Sequence, residues 1–73
     1  MLAGKTLLLD KTTVIRDLVG RIPNYGTYSI DYDKNEVSVY FLDETRKYFP
    51  VTDLLKLAEA VASEKGYEIR WRR

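Results

Sequence analysis

Residues 27–42, TYSIDYDKNEVSVYFL, alternate apolar and polar side chains on either side of a polar centre. A period of two is the mark of half-buried strands, because successive side chains point to opposite faces of a sheet. Tyr28, Ile30 and Tyr32 share one face of the first strand, and Val37, Val39 and Phe41 share one face of the second. An even loop, either Asp33 to Glu36 or its inner pair Lys34-Asn35, sets Tyr32 opposite Val37 and Ile30 opposite Val39. All six then point into one core. Ser29, Asp31, Ser38, Tyr40 and Leu42 occupy the other face, where any function of the hairpin has to be sought.

Upstream of the hairpin, Lys5 to Leu9 follows a loose Met1 to Gly4 and is continuously apolar at its centre. This predicts a strand buried in the middle of a sheet. Val14, Ile15, Leu18, Val19 and Ile22 then fall on one face of a helix, capped by Thr12 or Thr13, with Asp17 and Arg21 as a wet i,i+4 pair. Pro23 stops that helix, since the residue before a proline is pushed out of helical geometry.

Downstream, Asp43-Glu44-Thr45 is a charged turn, and Arg46 to Phe49 is a short third strand or an extended arm. Pro50 bars a central position in a sheet. A second helix, capped by Thr52 or Asp53, carries the stripe Leu54, Leu55, Ala58, Val61 and Ala62, and Gly66 suits the left-handed residue past its end. In the closing segment Tyr67, Ile69 and Trp71 face the core, while Glu68, Arg70 and Arg72 face outward.

This order predicts an α+β domain with two helices packed on one face of a small antiparallel sheet. The ferredoxin-like βαββαβ arrangement, with its right-handed crossovers, is favoured. The alternative drops the N-terminal strand and makes Arg46 to Phe49 a true strand, giving αβββα followed by a C-terminal strand. In that order of elements, over roughly Thr13 to Gly66, the chain resembles a double-stranded-RNA-binding domain. That family's phosphate-reaching lysines at the start of the last helix are replaced here by Thr52-Asp53, with Lys56 alone, so no RNA site is carried over.

The composition narrows the function classes. A chain of 73 residues makes one domain and buries only about 60% of the surface that its unfolded form exposes, which disfavours a deep pocket. The 45% hydrophobic and 32% charged fractions are those of a globular protein rather than a disordered tail. No apolar run approaches the roughly 20 residues of a membrane span, no signal peptide is read, and a cytoplasmic location is expected. Cysteine and histidine are absent, which removes disulfides, thiol chemistry, most zinc sites and the commonest general base. Glutamine is also absent, and the charges are many and mixed, a composition that fits a thermophile.

The acidic residues carry no evident chemistry. Asp31 with Asp33, and Asp43 with Glu44, read as solvated charges rather than a catalytic pair. The group Asp31, Asp33, Asn35 and Glu36 lacks the glycine and the distal glutamate of a calcium loop and suits a turn. Gly4-Lys5-Thr6 lacks the upstream glycine and preceding strand of a phosphate-binding loop. No catalytic residue, metal or cofactor is therefore expected, and the protein is read as a non-enzyme.

A net charge of +1 does not support strong binding to nucleic acid through charge alone. The distribution says more. In the four-stranded arrangement the outward face holds Leu8, Tyr40 and Leu42, with Arg70 and Arg72 on the last strand. An aromatic flanked by arginines on an open sheet resembles an RNA-recognition motif, whose sheet stacks bases while basic residues hold phosphates. This sequence offers one outward aromatic, Tyr40, where that family places several, and Leu8 where another would sit. The reading is thus a small binding domain for single-stranded DNA or RNA. Tyr40 is its stacking surface, Arg70, Arg72 and Arg73 hold phosphates, and Arg46 and Lys47 extend the track. The alternative is a protein-interaction module, with Tyr40, Leu8 and Leu42 forming a sheet-to-sheet homodimer contact.

Overall fold

A computed structural model describes residues 5–72. Met1 to Gly4 and Arg73, and with them the expected loose N-terminus and the Arg73 contact, lie outside the described residues. The elements run β1 (Lys5–Asp10), α1 (Lys11–Val19), β2 (Tyr25–Asp31), β3 (Glu36–Phe41), β4 (Arg46–Pro50), α2 (Val51–Glu64) and β5 (Tyr67–Arg72).

The fold is mixed α+β, but its strands do not form one four-stranded sheet. β2, β3 and β4 make a three-stranded antiparallel sheet, and β1 pairs with β5 in a separate parallel ladder. The ferredoxin-like order needs the first strand beside the second strand of the hairpin. That edge is taken by Arg46–Pro50, which the short turn after Phe41 brings back antiparallel against β3. Pro50 sits at the end of this strand on the edge of the sheet, where its missing N–H costs no ladder bond. From α1 to β5 the element order is that of the αβββα alternative with its C-terminal strand, and β1, which that alternative omits, is present and pairs with β5.

The hairpin keeps its predicted faces but not its predicted register. Ile30 lies opposite Val37 and Tyr28 opposite Val39, a shift of two residues that leaves a four-residue loop from Tyr32 to Asn35. Tyr32 therefore leaves the core and stands half exposed, its hydroxyl hydrogen-bonded to Thr12 Oγ1 at 2.6 Å. Two interactions fix the longer loop. Asp31 Oδ1 accepts the Lys34 N–H at 3.2 Å, and Asn35 takes the left-handed conformation at φ 55°. Asn35 also caps α2 from outside that helix. Its carbonyl accepts the Val51 N–H at 3.0 Å, and its side-chain oxygen accepts the Thr52 N–H at 3.1 Å. These bonds replace the local Thr52 or Asp53 cap expected from sequence, because the helix begins earlier, at Val51 directly after Pro50.

At the other end of β2 a bulge at Gly26 inserts one residue, so Tyr25 and Tyr28 both face inward with ring centroids 6.2 Å apart. A Cβ at Gly26 would lie 3.2 Å from the Tyr40 carbonyl, so the close approach of the strands favours glycine there. Helix α1 ends at Val19, earlier than predicted, and a pair of tight turns returns Ile22 to the core. Its cap is Asp10, whose carboxylate accepts the Thr13 N–H at 3.0 Å, not Thr12 or Thr13.

Ile15 and Val19 of α1, Val51 and Leu55 of α2, and Val37 and Val39 of β3 form the buried core. Farther along α2, Ala58, Val61 and Ala62 face Leu7, Leu9, Tyr67 and Ile69 of the parallel pair across an open groove of about 340 Å³. One helix thus serves two sheets in succession, and the chain is elongated, 46 × 26 × 15 Å with a radius of gyration of 13.6 Å. A compact chain of this length has a radius near 11 Å.

Neither β1 nor β5 is a buried strand. Leu8, placed by its sequence in a sheet centre, is 57% exposed, and inward Leu7 and Leu9 alternate with outward Thr6, Leu8 and Asp10. Tyr67 is exposed as well, while Ile69 and Trp71 are half-buried as their period predicts.

Candidate nucleic-acid interface

The helices cover one face of the antiparallel sheet. On the other face the ladder sets Tyr40 between Thr27 and Arg46, and Ser38 between Ser29 and Tyr48. Arg46 and Tyr48 are two apart on β4, so both point to this side. The Arg46 guanidinium lies 5.3 Å from the ring centroids of both Tyr40 and Tyr48. Such placement is favourable because the π face of the ring carries negative potential. Arg46 also donates from Nη1 to the Tyr40 hydroxyl at 3.4 Å.

The turn before β4 sets this register. Asp43 Oδ1 accepts the Thr45 hydroxyl at 2.6 Å and the Thr45 N–H at 3.0 Å, and Glu44 takes a left-handed φ of 72°. The Phe41 N–H donates to the Thr45 carbonyl at 2.9 Å, closing the strand pair one step before Arg46 meets Tyr40. The Thr45 hydroxyl, and after it the Thr45 N–H, hold the Asp43 carboxyl below its ordinary value. Arg46 is raised above its already high value, first by the bond to Tyr40, then by Tyr48, and is a cation at any working pH.

The residues singled out in the sequence are only partly brought together. Tyr40 and Arg46 meet. Lys47, expected to extend their basic track, lies opposite inward-facing Val39 and lines a groove on the helix side with Phe41, Phe49 and Leu54. Strand alternation is the reason: two neighbours on β4 cannot share a face. Arg70 and Arg72 belong to the other sheet, opposite Leu8 and Asp10. The proposed homodimer patch is divided in the same way, with Leu8 on β1, Tyr40 on β3 and Leu42 beyond the end of β3, near Gly26.

Tyr48, which is 52% exposed, was not singled out from the sequence. The alternation of Arg46-Lys47-Tyr48-Phe49 was the available signal, and it is legible only once the segment is taken as a strand. At the opposite end of the same face Asp31 lies directly across from Glu36. The face is therefore polarised, cationic and aromatic at the end near Thr27, acidic at the end near the hairpin loop.

Among the described residues no group of three or more acidic side chains is placed to hold a metal ion, and no helix is long and apolar enough to cross a membrane. No protein-family model matches the chain, and no curated protein or solved structure matches it either.

Proposed function

We propose that the cationic, aromatic end of this sheet face is a small binding surface for single-stranded nucleic acid. The observation that carries this reading is Arg46, held against Tyr40 and Tyr48 on the sheet face opposite buried Val37 and Val39. Exposed aromatic rings stack on bases regardless of sequence, and a guanidinium plane can itself stack on a base or pair with a phosphate. Asp31 and Glu36 repel a backbone at the far end, so the contact spans few nucleotides and is weak. Arg70 and Arg72 lie on the other sheet and are not part of this surface.

The test is anisotropy of labelled oligothymidine and of an RNA of equal length, titrated with the protein at low salt. Binding weakens as salt rises, with a log–log slope near −0.7 for each phosphate engaged. Tyr48→Ala costs about 1–3 kcal/mol if a base stacks there. Arg46→Ala flattens the salt dependence by about one phosphate. Absence of binding to either strand at low salt ends the reading.

A further inference from the structure

The parallel pair β1–β5 is an unusual object to leave uncovered. A lone two-stranded ladder is marginal in water, and parallel strands are found almost always within larger sheets covered on both faces. Here each of the two strands has one edge without a ladder partner among the described residues.

The outer strands of the antiparallel sheet are blunted by familiar devices. β2 is bent by its bulge, and β4 carries Arg46, Lys47 and Pro50. β5 carries charges in Glu68, Arg70 and Arg72 but has neither a bulge nor a proline. Tyr67–Arg72 contains no proline, glycine or lysine and no residue with positive φ, and it pairs with β1 without irregularity.

Its sequence also complements itself. Two copies of β5 can be set antiparallel with Ile69 on the two-fold axis. Glu68 of each copy then faces Arg70 of the other on the outer side, and Tyr67 of each faces Trp71 of the other on the inner side. A shift of one residue would turn the apolar side chains outward. Shifts of two place Glu68 against Glu68 or Arg70 against Arg70, and like charges directly opposite destabilise a strand pair. β1 offers no such match, since centring it on Leu7 or Leu8 brings no opposite charges together.

We propose that β5 is a dimerisation edge, joining two copies of this chain into a continuous sheet β1-β5-β5-β1. The contact is isologous and closes on itself, as two-fold interfaces do. It uses a different surface from the nucleic-acid reading and stands independently of it.

Sedimentation equilibrium of the whole chain tests this, with circular dichroism to confirm that each variant folds. The wild type is expected to dimerise. Glu68→Arg alone and Arg70→Glu alone each place like charges across both pairs and weaken the dimer about tenfold or more. An equimolar mixture of the two variants restores opposite charges at both positions and re-forms a heterodimer, a result that misfolding could not give. A wild type that stays monomeric to millimolar concentration overturns the proposal. So does a dimer that neither substitution weakens, or a mixture that fails to associate when both variants are folded.

Discussion

The antiparallel ladder β2-β3-β4 and the parallel ladder β1-β5 lean on the same two helices with different results. In the first, Val37 and Val39 are fully buried and meet Ile15, Val19, Val51 and Leu55. In the second, no residue reaches that degree of burial, and inward Leu7, Leu9 and Ile69 line an open groove. The difference follows from where α2 spends its apolar stripe. Its first turns are bulky at Val51, Leu54 and Leu55, whereas Ala58 and Ala62 farther along present less surface to the second ladder. A helix of 14 residues cannot cover both sheets equally, so one ladder owns the core and the other depends on whatever else it meets.

The contrast can be broken at its stronger side first. Ile15→Ala removes a fully buried side chain and should cost about 2–5 kcal/mol, seen as a lower urea midpoint, whereas Leu8→Ala on the parallel pair should stay within about 0.5 kcal/mol. Equal effects would mean that the two ladders share one core after all.

Next in size is Asn35, which ties the hairpin loop of the first sheet to the helix serving both. Asn35→Ala loses the side-chain half of the cap, the bond to the Thr52 N–H, and strains a left-handed residue, and thermal unfolding should report a loss of about 1–2 kcal/mol. Asn35→Gly keeps the backbone geometry and should cost less.

Trp71 anchors the second ladder, since its indole N–H donates to Glu59 of α2 at 2.7 Å while its ring packs on the core. Trp71→Phe keeps most of the ring and should cost about 1 kcal/mol in urea unfolding, with the loss concentrated in exchange of β5 amides.

The smallest effect is acid sensitivity. The Thr13 N–H, then its hydroxyl, hold Asp10 below its ordinary value of 3.8, against a small opposing effect of desolvation and with help from Arg72 and Arg16. A carboxylate depressed on folding adds stability that is complete above its unfolded value and is lost as pH falls through the lower folded one. Urea midpoints should therefore decline below about pH 4, and Asp10→Asn should flatten part of that decline.

Much of this architecture was legible from residue periodicity, and the misreadings have identifiable causes. The two helices, the hairpin and its buried face follow from alternation at Tyr28, Ile30, Val37 and Val39 and from the stripes of α1 and α2. The register was not legible because Asn35 answers to a helix N-terminus 16 residues away, a tertiary demand that turn chemistry alone does not reveal. Leu7-Leu8-Leu9 suggests a strand in the middle of a sheet because three leucines conceal alternation, whereas β1 lies in a two-stranded ladder, with Leu8 outward as the open-face reading has it. Of the candidate site, Tyr40 was visible as an outward aromatic, and its pairing with Arg46 and Tyr48 awaited recognition of β4. Lys47 was misplaced by sequence proximity, and Arg70 and Arg72 by assuming a single sheet.

Native-state hydrogen exchange, resolved by residue in a dilute sample, tests the inequality of the two ladders most directly. Amides of β3 should exchange only through global unfolding, while those of β5 should open at lower free energy and gain protection as protein concentration rises. Protection of β5 equal to that of β3 at every concentration would contradict it.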